Sequence, residues 1–217
     1  MTTAARVALT ALRPTLRSMP WRPLLAAAAS AGVAVWLINP SAGDVRGLVA
    51  LRVTALLLAA GAAFGIDDPA AATVAASPTP LGVRRTHRLF AAGAGWGLLW
   101  TLAVVTIAGE APGVPLAIPT VEAGAMLALA LATAALAAPH VPEGRGGVVA
   151  GPALTLALVG VLMAQYLYPR WATLFALSPG GPEWDAARIR WIVLLAAGLA
   201  TLAATSLDPA RGRKVAR

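Results

Sequence analysis

Few residues of this chain combine the type and the spacing that catalysis requires. The histidines, His87 and His140, fall in predicted loops and lack the spacing of a zinc-binding pair on one helix. The sequence has no Cys, which excludes thiolate metal sites and cysteine nucleophiles. It also has no Walker-type phosphate loop and no Gly-x-Ser-x-Gly nucleophile motif. We therefore expect no catalytic residue, no cofactor or metal site in this chain, and no enzymatic activity of its own.

Three polar residues inside apolar segments are the remaining candidates for a site. Arg52 lies in the second apolar segment, Glu122 begins the fourth, and Gln165 lies near the outer end of the fifth. Ionisable groups at membrane depth are costly and often functional. Two structural interpretations stand beside a functional one: Arg52 extends to the outer headgroups, or it pairs with Glu122 or Asp44. No acidic relay crosses the segments, which disfavours a proton-coupled antiporter.

The composition places these residues in a membrane protein. Hydrophobic residues make up 59% of the chain and charged residues only 12%, against roughly a quarter charged in a soluble domain. The mean hydropathy is +0.75. The net charge of +8 comes from basic residues at the ends of apolar segments. This pattern favours membrane orientation over nucleic-acid binding.

Six apolar segments approach or reach the ~20 residues that a helix needs to cross a bilayer. They run over 24–38, 47–66, 89–108, 120–138, 148–168 and 189–207. None alternates as a barrel strand does. The sequence therefore predicts an all-α integral membrane protein with six transmembrane helices over 24–207. The first segment is the shortest and needs Trp21 and Asn39 at the interfaces.

The distribution of basic residues predicts the orientation of these spans. Twelve basic residues fall on the side of the two termini and four on the other side. The positive-inside rule then places both termini in the cytoplasm of a bacterial cell. Residues 1–23 are predicted to be a cytoplasmic entry segment with an amphipathic interfacial helix over 4–17, or alternatively a disordered basic tail. Residues 208–217 form a basic cytoplasmic tail.

The cytoplasmic loop over 67–88 carries two helix-start signals. Asp68-Pro69 is a cap followed by Pro at the first helical position, and Thr79-Pro80 repeats this pattern after the break at Ser77-Pro78. The loop therefore predicts a short cytoplasmic helix and then a basic run-in to the third span. Its functional interpretation is docking of a partner, and the alternative is a turn with anchoring arginines. The candidate docking residues are Asp67, Asp68, Pro69, Thr73, Ser77, Arg84 and Arg85.

The outer segment over 170–188 is apolar and aromatic in its first part. This composition predicts an interfacial or dipping segment between the fifth and sixth spans. Simple anchoring at the interface is the expected role of each aromatic side chain around it. These aromatic residues are Tyr166, Tyr168, Trp171, Trp184 and Trp191.

The layout resembles the membrane (permease) subunit of an ABC-2 type, exporter-like ABC transporter. The stretch from Asp67-Asp68-Pro69 through Thr79-Pro80 to Arg84-Arg85 is similar to the first cytoplasmic loop of small actinobacterial ABC permease-like proteins. The resemblance implies a separate ABC ATPase subunit, holding ATP and Mg, that docks on a coupling helix around 68–77. It also implies a second membrane subunit, identical or different, and a path lined by the second and fifth spans.

Two other classes of function remain open. A non-transporting membrane scaffold, or an accessory subunit of a larger membrane complex, fits the Ala-rich spans equally well. A membrane-embedded enzyme is disfavoured because the chain offers no candidate residues. The partners expected in either case are the lipid bilayer and other membrane subunits, not nucleic acid.

Overall fold

Six long helices make up most of the described part of the chain. The computed structural model describes residues 17–67, 81–168, 174–177 and 181–206, and these contain helices and 3-10 turns but no strand. The helices are α1 (Trp21–Ile38), α2 (Asp44–Ala63), α3 (Leu81–Glu110), α4 (Ala117–Ala137), α5 (Gly146–Leu167) and α6 (Pro182–Ser206). Each coincides with a stretch long and apolar enough to cross a membrane. The predicted all-α, six-span membrane fold is confirmed.

Several predicted segments lie outside the described residues. They are the amphipathic helix over 4–17, except for its last residue, the short helix between 68 and 77, residues 170–173 and 178–180 of the outer segment, and the tail over 208–217.

The first helix is longer than predicted. It begins at Trp21 and includes Pro23 in its first turn, where a backbone N–H would have no acceptor within the helix in any case. It ends at Ile38, and the φ of 55° at the next residue, Asn39, lies in the left-handed region. The chain then turns through residues 40–43 into α2. Since the apolar stretch Trp21–Ala42 has 22 residues, this span has the length that a bilayer requires.

Two helix starts differ from the predicted spans. The third helix begins at Leu81, directly after the predicted helix-start signal Thr79-Pro80 and well before the predicted span over 89–108. The basic run-in is therefore a continuous part of the membrane helix. The sixth helix begins at Pro182, so the end of the predicted outer segment is helical as well. The sequence signals for this second start were Pro at the first helical position and the carboxylates of Glu183 and Asp185 in the first turn.

Helices α2 and α4 form the centre of the bundle. Within their most apolar windows, 67% and 56% of the residues are buried, more than in any of the other four spans. Helices α1 and α3 pack on α2, α6 packs on α4, and α5 contacts both central helices. The inner face of α4 is dominated by small side chains, including Ala123, Ala130 and Ala134, which are completely buried. Small residues permit this close helix packing.

Glycine allows one especially close approach at the start of α5. A Cβ atom on Gly147 would lie 2.6 Å from the Cα atom of Phe64, at the end of α2. No side chain fits between these two backbones. The beginning of α5 therefore lies directly against the end of α2, next to Asp67.

Candidate functional site

The Arg52 and Glu122 side chains form a buried ion pair between the two central helices. The Arg52 Nε donates to Glu122 Oε2 at 2.7 Å, and Nη2 donates to Oε1 at 2.8 Å. The Arg52 side chain is 8% exposed and that of Glu122 is 1% exposed. This two-point geometry is the strongest that a guanidinium and a carboxylate can adopt. Of the interpretations left open by the sequence, the structure selects pairing with Glu122, while the Asp44 carboxylate lies against Gly113 instead.

Phe175 of the outer segment lies over this ion pair, and Trp191 of α6 supports it. The Cζ atom of Arg52 lies 5.3 Å from the ring centroid of Phe175, within the range of a cation–π interaction. The Phe175 ring in turn lies 5.3 Å from that of Trp191, tilted by 59°. Trp191 is fully buried and donates from Nε1 to the Leu174 carbonyl oxygen at 2.7 Å. Trp191 is thus a core residue of the bundle, and its predicted role as an interfacial anchor was wrong.

Gln165 holds the described part of the outer segment in place. Its Oε1 accepts hydrogen bonds from the backbone N–H groups of Leu174 at 3.2 Å and Phe175 at 3.0 Å. Its Nε2 donates to the Phe175 carbonyl oxygen at 2.8 Å. A side-chain amide therefore satisfies backbone groups that have no helix or sheet to pair with, as a non-helical segment at membrane depth requires. Phe175 and Ala176 are buried as a result.

These three predicted residues belong to one site, at the end of the bundle that the charge pattern predicts to be the outer one. We call Arg52, Glu122, Gln165, Phe175 and Trp191 the outer polar cluster. A cavity of about 200 Å³ adjoins it, with Arg52, Gln165 and Phe175 in its wall. The sequence did not predict that the aromatic members and the backbone contacts belong to this site, because spacing along the chain does not show which segments meet.

A second set of contacts lies at the other end, where the loop between α2 and α3 begins. The carboxylate of Asp67 is buried, and its Oδ1 accepts from the backbone N–H of Gly147 at 2.7 Å. Burial raises the Asp67 pKa from its ordinary value, while the Gly147 N–H and the positive charges of Arg145 and Arg88 act in the opposite direction. The position at the start of α5 suits a carboxylate because helix N-termini attract negative charge.

Two arginines at the start of α3 complete this inner set. Arg85 donates to the Thr205 carbonyl oxygen and to the Ala135 carbonyl oxygen, both at 2.9 Å. These carbonyls lie in the last turns of α6 and α4, where helices lack internal donors. Arg88 is buried and donates to the Asp67 carbonyl oxygen and to Ser18 Oγ. We call Asp67, Arg85 and Arg88 the inner clamp.

The predicted docking residues are only partly visible in the structure. Asp67 and Arg85 lie in the inner clamp, whereas Arg84 belongs to the first turn of α3. Asp68, Pro69, Thr73 and Ser77 lie outside the described residues. Arg88 was not among the predicted site residues, although its spacing from Arg85 on one helix was a usable signal. The docking role of the loop stays a prediction.

Neither histidine is a member of these two sets, although His87 lies between Arg85 and Arg88 in α3. The predicted loop position of His87 was therefore wrong. His87 is a half-buried residue of α3, and His140 is exposed at the end of a 3-10 turn. Among the described residues, no group of three or more His, Asp or Glu could hold a metal ion.

The fold and the two clusters define an all-α, multi-pass membrane protein whose buried polar side chains tie its helices together at both ends. Comparisons with protein-family models, with curated proteins and with solved structures find no match to this chain.

Proposed function

We propose that this chain is the membrane subunit of an ATP-driven transporter of the exporter-like ABC-2 type. A separate ATPase subunit, with its ATP and Mg, docks on the loop between α2 and α3. A second membrane subunit, either a copy of this chain or a relative, completes the translocation path. The chain lies in the bacterial cytoplasmic membrane with both termini in the cytoplasm, so this loop faces the ATP pool.

The inner clamp is the observation that carries the proposal. Asp67 lies just before residues 68–80 of the loop and is hydrogen-bonded to α5. Arg85 lies just after these residues and is hydrogen-bonded to α4 and α6. Arg88 joins the two sides of the loop through the Asp67 carbonyl oxygen. A displacement of the loop must therefore move these helices or break their hydrogen bonds. Such a connection is what a subunit needs if it is to convert docking of an ATPase into movement of its spans.

The position of α2 favours a second candidate, a non-transporting scaffold. This helix is covered by α1, α3, α4 and α5, which leaves little of its surface for a path shared with another subunit. Its buried arginine is also held rigidly by Glu122. A scaffold requires such a rigid core and no moving path.

Purification of the tagged chain from its native membrane in mild detergent tests the proposal. In one variant, residues 70–76 are replaced by a Gly/Ser segment of equal length. In the control, residues 112–115 of the loop at the opposite end are replaced in the same way. Stoichiometric partners are then identified by mass spectrometry, and ATP hydrolysis is measured.

We expect a partner with a Walker A motif to copurify with the wild-type chain and with the control variant. We expect the 70–76 variant to lose this partner and its ATPase activity while keeping the same thermal unfolding profile. Purification of the wild-type chain without any nucleotide-binding partner would contradict the proposal and favour the scaffold. Retention of the ATPase by the 70–76 variant would contradict docking on this loop.

A further inference from the structure

The cavity beside the outer polar cluster is apolar on nearly all sides. It lies between α2 and α5, with Met126 of α4 behind it and Leu177 of the outer segment at its edge. Its volume of about 200 Å³ exceeds that of an engineered apolar cavity of about 150 Å³ that stays dry and binds benzene. A space of this size and lining favours an apolar guest over water.

The polar groups in the wall are mainly hydrogen-bond donors. Arg52 Nη1 is buried and has no hydrogen-bond partner among the described residues. Gln165 uses its oxygen for two backbone N–H groups but donates from Nε2 to a single carbonyl. Glu122 neutralises the charge of Arg52. The wall therefore suits a guest that carries a neutral acceptor oxygen, since an anion would meet a guanidinium already paired with a carboxylate.

The edge of the cavity faces the lipid side of the bundle. Leu162 is 44% exposed and Leu177 is 52% exposed, and both line the cavity. Where no second subunit covers this face, these side chains contact acyl chains in a membrane. Gln165 is two residues from the end of α5, so this part of the cavity lies at the level where the ester carbonyls of phospholipids meet the hydrocarbon core.

We propose that this cavity binds one acyl chain of a phospholipid from the adjacent leaflet, with the ester carbonyl oxygen as acceptor for Arg52 or Gln165. The acyl chain enters past Leu162 and Leu177 and fills the space between α2 and α5. The bound lipid supplies an acceptor at the polar end of the cavity, where Arg52 and Gln165 lie in the wall. This inference does not depend on an ATPase partner.

Photo-crosslinking in vesicles tests the site. The full chain is reconstituted in an equimolar mixture of phosphatidylethanolamine and phosphatidylglycerol that contains a trace of phosphatidylethanolamine with a diazirine on one acyl chain. After illumination, labelled residues are located by mass spectrometry. The test variant Val53→Phe fills the cavity, of which Val53 is a wall residue. The control Val105→Phe adds the same bulk at a lipid-facing position of α3 that is 66% exposed.

We expect labelling of cavity residues such as Val53, Leu56 and Leu162 to exceed labelling of the lipid-facing Leu98 severalfold in the wild-type chain. Val53→Phe should lower the labelling of Leu56 and Leu162 to the level of Leu98, whereas Val105→Phe should leave it unchanged. Equal labelling of cavity and lipid-facing residues in the wild type, or no effect of Val53→Phe, would overturn the proposal.

A lipid that differs only in how its labelled acyl chain is attached tests whether the ester carbonyl oxygen is the acceptor. This test requires no change to the protein. The same diazirine chain is attached through an ether, which lacks the carbonyl oxygen. We expect several-fold weaker labelling of the cavity residues by the ether lipid than by the ester lipid. Equal labelling by the two lipids would overturn the assignment of the carbonyl as the acceptor for Arg52 or Gln165.

Discussion

At the scale of single residues, the most consequential feature is the ion pair between Arg52 and Glu122. Each partner is buried at membrane depth, where a lone charge is very unfavourable. The pair is compensated by two short hydrogen bonds and by the Phe175 ring. Removal of one partner leaves the other as an uncompensated buried charge, whereas removal of both leaves only apolar groups. The pair therefore specifies how α2 and α4 face each other more than it adds stability.

We therefore expect the effects of substituting Arg52 and Glu122 on the free energy of unfolding to be far from additive. Arg52→Leu or Glu122→Leu alone should each lower the free energy of unfolding by about 3–5 kcal/mol. The double variant should be close to the wild type in stability, because no buried charge then remains. Thermal unfolding of the purified variants in one detergent measures the difference.

The exposed pair between Arg188 and Asp185 provides the control. Its closest atoms are 3.4 Å apart and both side chains are more than half exposed. Asp185→Asn should therefore change stability by less than about 1 kcal/mol. If the double Leu variant were as unstable as the two single variants, burial of an unpaired charge would not be the cause.

At the scale of helices, the contacts that decide the packing lie at helix ends. Arg85 caps two C-termini, Asp67 lies at the N-terminus of α5, and Gly147 brings that terminus against the end of α2. Backbone groups at a helix end lack partners within the helix, so they are free to bond side chains from elsewhere. The inner end of the bundle is joined through these groups.

The close approach at Gly147 predicts a specific defect. In Gly147→Ala the new methyl group would lie 2.6 Å from the Phe64 Cα atom, so α5 must move away and the Asp67 hydrogen bond must lengthen. We expect a loss of about 1–3 kcal/mol in unfolding free energy, as for other overpacked sites. Thermal unfolding in detergent is again the measurement.

Gly160→Ala is the matched control in the same helix. A Cβ atom at Gly160 would have no other heavy atom within 4 Å, so this variant should unfold at the wild-type temperature or slightly above it. Equal destabilisation by both substitutions would indicate a general effect of glycine in α5 and contradict the role of the close approach.

At the scale of the whole molecule, the basic residues and the two polar clusters are distributed unequally between the two ends of the bundle. The side predicted to be cytoplasmic carries the inner clamp and most of the arginines, and the opposite side carries the outer polar cluster. The absence of Cys from the sequence makes the orientation directly measurable by introduction of single cysteines.

Labelling of two cysteine variants with a membrane-impermeant maleimide should show this orientation. Ser41→Cys lies in the turn between α1 and α2, and His140→Cys lies in the connection between α4 and α5; both positions are exposed. In intact cells we expect labelling of Ser41→Cys only, because the twelve basic residues predict that the other side lies in the cytoplasm. Permeabilised cells should show labelling of both, and the reverse pattern in intact cells would refute the orientation.

The sequence by itself determined the class of fold and the number of spans, because apolar length and the absence of alternation are local properties of each segment. It also identified Arg52, Glu122 and Gln165 as unusual, since polar residues are rare in such segments. It could not decide between Glu122 and Asp44 as the partner of Arg52.

Only the tertiary structure decided the contacts. Glu122 is 70 residues from Arg52 in the chain, and Thr205 is 120 residues from Arg85. Such pairs depend on which faces of the helices meet. In a membrane, where both lipid-facing and core-facing positions are apolar, hydropathy does not reveal those faces. The burial of Trp191 and the lipid-facing edge of the cavity likewise follow from packing, which no spacing in the sequence expresses.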